Sequence, residues 1–152
     1  MLCWIGSSMM LLMLTVNDLM TVDPQTISPD VSLAVVSDLL QVESIRQLPV
    51  MDNGRLVGII SERDVCLVRN SPLFETISAE SIMTANPITV TPETPAFRAA
   101  EMLRSYKFGA LPVLDGDQLI GIITVSDFLR RMEVETTPIE LWDDDQGMVP
   151  SY

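Results

Sequence analysis

The stretch of sequence that decides the fold occurs twice. Residues 19–30 read LMTVDPQTISPD, and residues 82–93 read IMTANPITVTPE. Met83 follows Met20 by 63 positions, and the same offset aligns residues 19–65 with residues 82–128 without a gap. Self-similarity at a fixed period indicates that one supersecondary unit is used twice. The sequence therefore predicts two tandem repeats.

The first half of each repeat predicts a strand and a helix. A short extended piece, residues 25–27 or 88–90, lies beside Pro29 or Pro92, and proline suits the first turn of a helix. Apolar residues then recur at spacings of three and four, as on the buried face of a helix. They are Leu33, Val36, Leu39 and Leu40 in the first repeat, and Ala96, Ala99, Met102 and Leu103 in the second.

The second half of each repeat predicts a hairpin and another helix. Strands at residues 48–51 and 56–61 flank the dipeptide Asn53-Gly54, a strong hairpin signal, and the second copy turns at residues 115–117. Helices are expected at about residues 62–69 and 125–134. Such a β-α-β-β-α unit leaves an apolar sheet face uncovered when it is alone. The predicted fold class is therefore mixed α+β, with two repeats packed by pseudo-twofold symmetry.

The chain divides into five predicted parts. They are an apolar N-terminal extension (residues 1–15), repeat 1 (16–69), a short polar linker (70–78), repeat 2 (79–134) and an acidic C-terminal tail (135–152). The apolar run of the extension is interrupted at residues 6–8 and is too short to span a membrane. It also lacks the basic start and the cleavage site of a signal peptide.

Charge and cysteine content narrow the classes of function. The formal net charge of −12 argues against nucleic acid and anionic membrane surfaces as partners. The two cysteines, Cys3 and Cys66, form no CxxC motif, and the chain has no histidine, so no zinc site or disulfide framework is indicated. We expect both thiols to be reduced in a cytoplasmic protein. Cys66 lies in an apolar stretch and is predicted to be buried in the core.

The signatures of catalysis are missing from the sequence. It contains neither GxxxxGK[ST], GxGxxG nor GxSxG. Without histidine, no pairing of a nucleophile with a base is apparent. The sequence therefore predicts a protein that is not an enzyme and needs no metal or catalytic cofactor.

Three motifs, each present twice and in the same order, resemble the CBS domains, which are named after cystathionine β-synthase. They are MTxxPxTVxPxT, seen in MTANPITVTPETP; hhPVhD, seen in QLPVMD and ALPVLD; and G-h-h-[ST]-x-x-D, seen in GIISERD and GIITVSD. The resemblance covers residues 16 to about 132. It implies a paired unit called a Bateman module, which typically binds AMP, ADP, ATP or a related adenosyl ligand between its repeats. It also implies a homodimer formed through the second helices of the repeats.

The resemblance assigns the ribose to one of two equivalent sites. A carboxylate accepts hydrogen bonds from both ribose hydroxyls, and Asp64 and Asp127 occupy that position of the motif. Ser61 and Thr124 precede them by three residues, where a hydroxyl and backbone N–H groups can meet phosphate. Taken singly, the two aspartates are better interpreted as helix-capping residues. Their pairing with Ser61 and Thr124 in the motif favours ribose binding.

The resemblance also suggests which residues hold the adenine. The base is expected against the strand after Pro87 and the segment 108–112. Gly58 and Gly121 permit close backbone approach, or simply allow strands to pack. The apolar candidates are Ile88, Ala110, Leu111, Pro112 and Ile122, of which Ile88, Leu111 and Ile122 are core residues by default.

An acidic chain must supply positive charge locally if it holds a phosphate. The candidates are Arg46, Arg63 and Lys107, each of which is also interpretable as a solvated surface residue. The counterpart of Arg63 in the second repeat is Ser126, a possible helix cap, so the two sites differ in charge. We expect the Asp127 site to be the occupied one, because Thr124, Ser126 and Asp127 supply three polar groups.

These expectations combine into one functional hypothesis. The chain is predicted to be a stand-alone regulatory protein that binds an adenine nucleotide (AMP, ADP or ATP) and acts as an energy or metabolite sensor for an unidentified partner protein. The alternative is a dimerisation or interaction scaffold that binds no ligand.

Overall fold

The computed structural model describes residue 9 and residues 12–135, so most of the predicted N-terminal extension and nearly all of the acidic tail lie outside it. Repeat 1 contains, in chain order, α1 (Val16–Leu19), β1 (Thr21–Val22), α2 (Leu33–Val42), β2 (Gln47–Asp52), β3 (Arg55–Ser61) and α3 (Glu62–Val68). Repeat 2 contains a 3₁₀ turn (Ala79–Ser81), β4 (Thr84–Ala85), α4 (Ala96–Tyr106), β5 (Ala110–Asp115), β6 (Gln118–Thr124) and α5 (Val125–Glu135). The mixed α+β fold with two tandem repeats is confirmed.

The hairpins follow from turn chemistry. Strands β2 and β3 pair antiparallel from Gln47↔Ser61 to Asp52↔Arg55. Between them Asn53 and Gly54 both adopt positive φ (48° and 78°), as a type I′ turn requires. Strands β5 and β6 repeat this pairing, and their register shifts at the position equivalent to the shift in the first hairpin.

The start of each repeat differs from the prediction. Residues 25–27 and 88–90 form no strand of their own and contribute only the single parallel bridges Ile27↔Val50 and Val90↔Val113. The short strands β1 and β4 come earlier in the chain. The first long helices also begin later than the prolines suggested, after Ser32 and Pro95, so Pro29 and Pro92 lie in the preceding loops.

The two repeats exchange their first strands. The strand order is β2-β3-β4 in one sheet and β1-β6-β5 in the other. Strand β4 of repeat 2 therefore completes the sheet of repeat 1, with Ile59 opposite Thr84, and β1 of repeat 1 completes the sheet of repeat 2, with Thr21 opposite Ile122. This exchange brings the start of each repeat to the end of the other repeat's long strand.

The exchange extends into the core. Val16 is fully buried with the core of repeat 2, and its counterpart Ala79 is fully buried with the core of repeat 1. Matching hydrogen bonds hold both segments: the Val16 N–H donates to the Thr94 carbonyl, and the Ala79 N–H donates to the Val31 carbonyl, each at 2.8 Å. Each repeat therefore depends on the other for part of its core.

Helix α1 is stabilised at its N-terminus by a capping box. The carboxylate of Asp18 accepts hydrogen bonds from the backbone N–H and the hydroxyl of Thr15, at 2.8 and 3.0 Å. These bonds lower the pKa of Asp18 below its ordinary value, with the bond from the backbone N–H making the larger contribution. Asp18 thus stabilises the exchanged segment in its ionised form.

The second helix of each repeat carries apolar residues that differ in exposure. Val65 of α3 is buried, but Leu67 is 79 % exposed, and on α5 Leu129 and Met132 are about half exposed. The prediction that Cys66 lies in the core is wrong, because its thiol is exposed. Val65 takes the core-facing position, and the next residue on a helix points about 100° away from it.

Among the described residues, no helix is long and apolar enough to cross a membrane.

Candidate functional site

A cavity of about 650 Å³ lies where the end of β3 meets the start of repeat 2. Its walls come from both repeats, because β4 is the exchanged strand. The lining residues are Arg46, Gln47, Ile59, Ser61, Glu62, Arg63, Asp64, Cys66, Thr84, Pro87, Ile88, Lys107, Phe108, Gly109 and Ala110. We call this cavity, which Ser61 and Asp64 help to line, the Asp64 site.

The Asp64 carboxylate is hydrogen-bonded to Ser61, three residues earlier in the chain. One oxygen of the Asp64 carboxylate (Oδ2) accepts hydrogen bonds from the backbone N–H and the hydroxyl of Ser61, at 2.8 and 2.7 Å. The backbone N–H of Asp64 donates to the Ser61 hydroxyl in return, at 3.2 Å, which completes a capping box at the start of α3. Within residues 12–135, the other oxygen, Oδ1, has no hydrogen-bond partner. The capping interpretation is therefore correct, and it leaves one acceptor for a ligand.

The equivalent group in repeat 2 is engaged on both oxygens. The Asp127 Oδ2 accepts from the backbone N–H and the hydroxyl of Thr124, at 2.7 and 2.9 Å. Its Oδ1 accepts from the hydroxyl of Thr21 at 3.3 Å and lies 3.6 Å from the guanidinium of Arg130. Asp127 is only 5 % exposed. We call the surroundings of Thr124 and Asp127 the Asp127 site.

The cavity gathers about half of the candidates that the sequence named. It brings together Arg46, Ser61, Arg63, Asp64, Ile88, Lys107 and Ala110. It does not include Gly58, Leu111, Pro112, Gly121, Ile122, Thr124, Ser126 or Asp127. Leu111, Pro112 and Ile122 are buried, whereas Ile88 is 43 % exposed and faces the cavity rather than the core.

The two glycines of the third motif serve strand packing. A side chain at Gly58 would collide with Met83, and one at Gly121 would collide with Met20. Met20 and Met83 directly precede the exchanged strands. Both glycines therefore leave room for the methionine that precedes the exchanged strand paired with their own strand.

Several lining residues were missed by the sequence argument, namely Gln47, Ile59, Glu62, Cys66 and Thr84. Thr84 and Ile59 enter the cavity because they pair across the exchanged sheet edge. The exchange has no local sequence signal. A helical projection of residues 62–68 would have separated Cys66 from Val65.

Positive charge is concentrated in this cavity. Three of the nine Lys and Arg residues, Arg46, Arg63 and Lys107, line it. Among the described residues, none of these three side chains has a hydrogen bond or an ion pair. Lys107 ends α4 in the left-handed conformation (φ 56°), next to Phe108. The site thus combines apolar surface, a carboxylate acceptor and unpaired cations, which fits a ligand with a flat ring, hydroxyls and an anionic group.

Comparison with known proteins agrees with the fold. A family model of the CBS domain matches residues 16–70 and 79–134. A CBS domain-containing protein of Dictyostelium discoideum is 37 % identical over 137 residues, which cover 82 % of this chain and 94 % of that protein. The chain therefore belongs to the CBS domain family and carries a tandem CBS pair.

Solved structures of similar CBS pairs contain adenosyl ligands. The crystal structure of CBSX2 in complex with AMP has a TM-score of 0.72 and 30 % identity, covering 80 % of this chain and 97 % of that chain. A CBS domain pair in complex with 5′-methylthioadenosine and S-adenosyl-L-methionine has a TM-score of 0.72 and 28 % identity, with the same two coverages.

Some relatives are larger proteins. The inosine-5′-monophosphate dehydrogenase of Korarchaeum cryptofilum is 35 % identical over 124 residues, which cover 81 % of this chain and 25 % of the dehydrogenase. The chain thus spans about a quarter of that enzyme.

Proposed function

We propose that this protein is a cytoplasmic regulatory module that binds an adenine nucleotide between its two CBS repeats. The observation that carries the proposal is the inter-repeat cavity, in which the Asp64 carboxylate, an apolar wall and unpaired cations face one another. The AMP complex of CBSX2 supports it, because a similar CBS pair holds an adenosine ligand.

Binding in this cavity would depend on how the two repeats are arranged relative to each other. Ser61 and Asp64 belong to repeat 1, whereas Thr84, Ile88 and Lys107 belong to repeat 2. A ligand that contacts residues of both repeats favours the arrangement of the repeats in which both groups of residues lie within contact distance. Only such differential affinity lets a ligand shift a conformational equilibrium. A partner protein would recognise the arrangement that the ligand favours.

The proposed assembly is a homodimer formed through α3 and α5. Leu67, Leu129 and Met132 expose apolar side chains on these helices, and burying them against a second copy would remove that area from water. No catalytic role is proposed.

A second candidate function is a dimerisation scaffold without a ligand. It is favoured by the capping bonds of Asp64 and Asp127, which give both carboxylates a structural role, and by the exposed apolar residues of α3 and α5. Under this alternative the cavity holds only solvent, and a protein partner occupies the helix surface.

A thermal-shift panel separates the two candidates. AMP, ADP, ATP, S-adenosylmethionine and GTP are compared on the purified protein, with calorimetry on any ligand that stabilises it. A ligand at 100 times its Kd should add about 2.7 kcal/mol, or about 5–11 °C in Tm for a chain of this length. Stabilisation by adenine ligands and not by GTP supports the proposal. No shift with any of them, in a folded protein, favours the scaffold.

A further inference from the structure

We propose that the inter-repeat cleft has a single polyphosphate-binding site, the Asp64 site, and that the Asp127 site is closed by Thr21. The ligand class assigned to the Asp64 site is an adenosine di- or triphosphate, rather than an uncharged adenosine derivative. This inference rests on the proposed function and reverses the sequence-based expectation that the Asp127 site is the occupied one.

The first argument is the different environment of the two carboxylates. Thr21 and Thr84 are equivalent residues on the exchanged strands β1 and β4. The Thr21 hydroxyl donates to Asp127 at 3.3 Å, whereas Thr84 lines the cavity and makes no hydrogen bond to Asp64 within the described chain. A ribose hydroxyl can therefore reach the open oxygen of Asp64. At Asp127 it would first have to displace Thr21.

The second argument is the placement of charge. Arg63 and Lys107 line the cavity, and their counterparts in the other repeat are Ser126 and Ser44. Arg46 is the third cation of the cavity. The backbone at position 107 matches that at position 44, with φ of 56° and 53°. At this pair of positions the repeats therefore share a left-handed backbone and differ in side-chain charge.

The third argument is the balance of charge inside the cavity. Its carboxylates are Glu62 and Asp64, against the three cations. Asp64 accepts hydrogen bonds from Ser61 and forms no ion pair with Arg63 among the described residues, and its other oxygen remains an acceptor for ribose hydroxyls. Two or more phosphates would give the unpaired cations the partners they lack. An uncharged adenosyl ligand would leave them without partners.

Calorimetry with adenosine, AMP and ADP tests the inference on the full chain. The central variant is Arg63→Ser combined with Lys107→Ser, which installs the residues of the other repeat. The control is Arg55→Ser combined with Arg104→Ser, which removes the same charge from exposed positions outside the cavity. We expect the wild type to bind one ADP per chain, more tightly than adenosine. The central variant should bind ADP at least about 10-fold more weakly with adenosine binding unchanged, and the control should match the wild type.

Alkylation of Cys66 locates the ligand independently. Its thiol lines the Asp64 site, and the equivalent residue at the Asp127 site is Leu129. Saturating ADP should slow the reaction of Cys66 with N-ethylmaleimide, measured by mass spectrometry of the peptide that contains Cys66. The inference is overturned if ADP binds without protecting Cys66, if the central variant binds ADP like the wild type, or if adenosine binds as tightly as ADP. Failure of every adenine ligand to bind would instead overturn the proposed function itself.

Discussion

A fragment of residues 23–86 is expected to fold, whereas a fragment of residues 16–70, which is the family-matched first repeat, is expected to remain largely unfolded. The longer fragment contains every buried residue of the first core, including Ala79, and also strand β4. The family-matched fragment lacks Ala79, Ile82 and Met83, and carries Val16 and β1, which belong to the other core.

The physical reason is the small size of each core. A domain of this length buries little surface and is marginally stable. Ile82 and Met83 pack partly buried against this core, so each contributes a part of the about 1.5–3 kcal/mol of a fully buried side chain, and Ala79 is fully buried. Loss of the three residues, together with the edge strand β4, is therefore enough to unfold the fragment.

Circular dichroism and urea denaturation of the two fragments measure this difference. We expect a cooperative unfolding transition for residues 23–86 and none for residues 16–70. A full-length chain with both exchanged segments is the positive control. Equal or greater stability of residues 16–70 would show that the exchange contributes nothing to the core of repeat 1.

Substitution of the two aspartates is expected to separate ligand binding from stability. Asp64→Ala should weaken ADP binding by about 10- to 100-fold, since charge-assisted hydrogen bonds to the ribose are lost. It should lower the free energy of unfolding by about 1 kcal/mol through the lost capping box. Asp127→Ala should leave ADP binding nearly unchanged. It should cost about 1–3 kcal/mol of stability, because the part-buried hydrogen bonds from Thr21 and Thr124 to this carboxylate are lost.

Calorimetry and thermal unfolding of both variants provide the comparison. Asp38→Ala is the matched control, because Asp38 is an exposed carboxylate on α2, away from the cavity. It should change neither property. If Asp127→Ala abolished ADP binding while Asp64→Ala preserved it, the assignment of the occupied site would be wrong.

Much of the fold was predictable because local sequence patterns specify the helices and hairpins of each repeat. The helical spacing of Leu33, Val36 and Leu40 identified the residues that are buried on α2. Asn53-Gly54 identified the hairpin, because few other residues adopt two successive positive φ angles. The exchange of β1 and β4 was not predictable by these means. Both copies present the same pattern, and pairing within or between repeats satisfies it equally well.

The candidate site was likewise predictable only in part. The motifs identified Ser61 and Asp64, and charge identified Arg46, Arg63 and Lys107 as cations that a phosphate would need. The sequence could not predict which aspartate keeps a carboxylate oxygen free for a ligand. That depends on whether a threonine of the exchanged strand reaches the carboxylate. That contact is 3.3 Å at Thr21, and the residue type is the same at Thr84.

A crystal structure of the protein grown with saturating ADP tests the central claim most directly. The account predicts density for one nucleotide per chain in the inter-repeat cavity. Its ribose hydroxyls should lie within hydrogen-bond distance of the Asp64 carboxylate, and its phosphates should lie beside Arg63 and Lys107. Density for the nucleotide at Asp127, with the hydroxyl of Thr21 displaced, or at any place outside the cavity would contradict it.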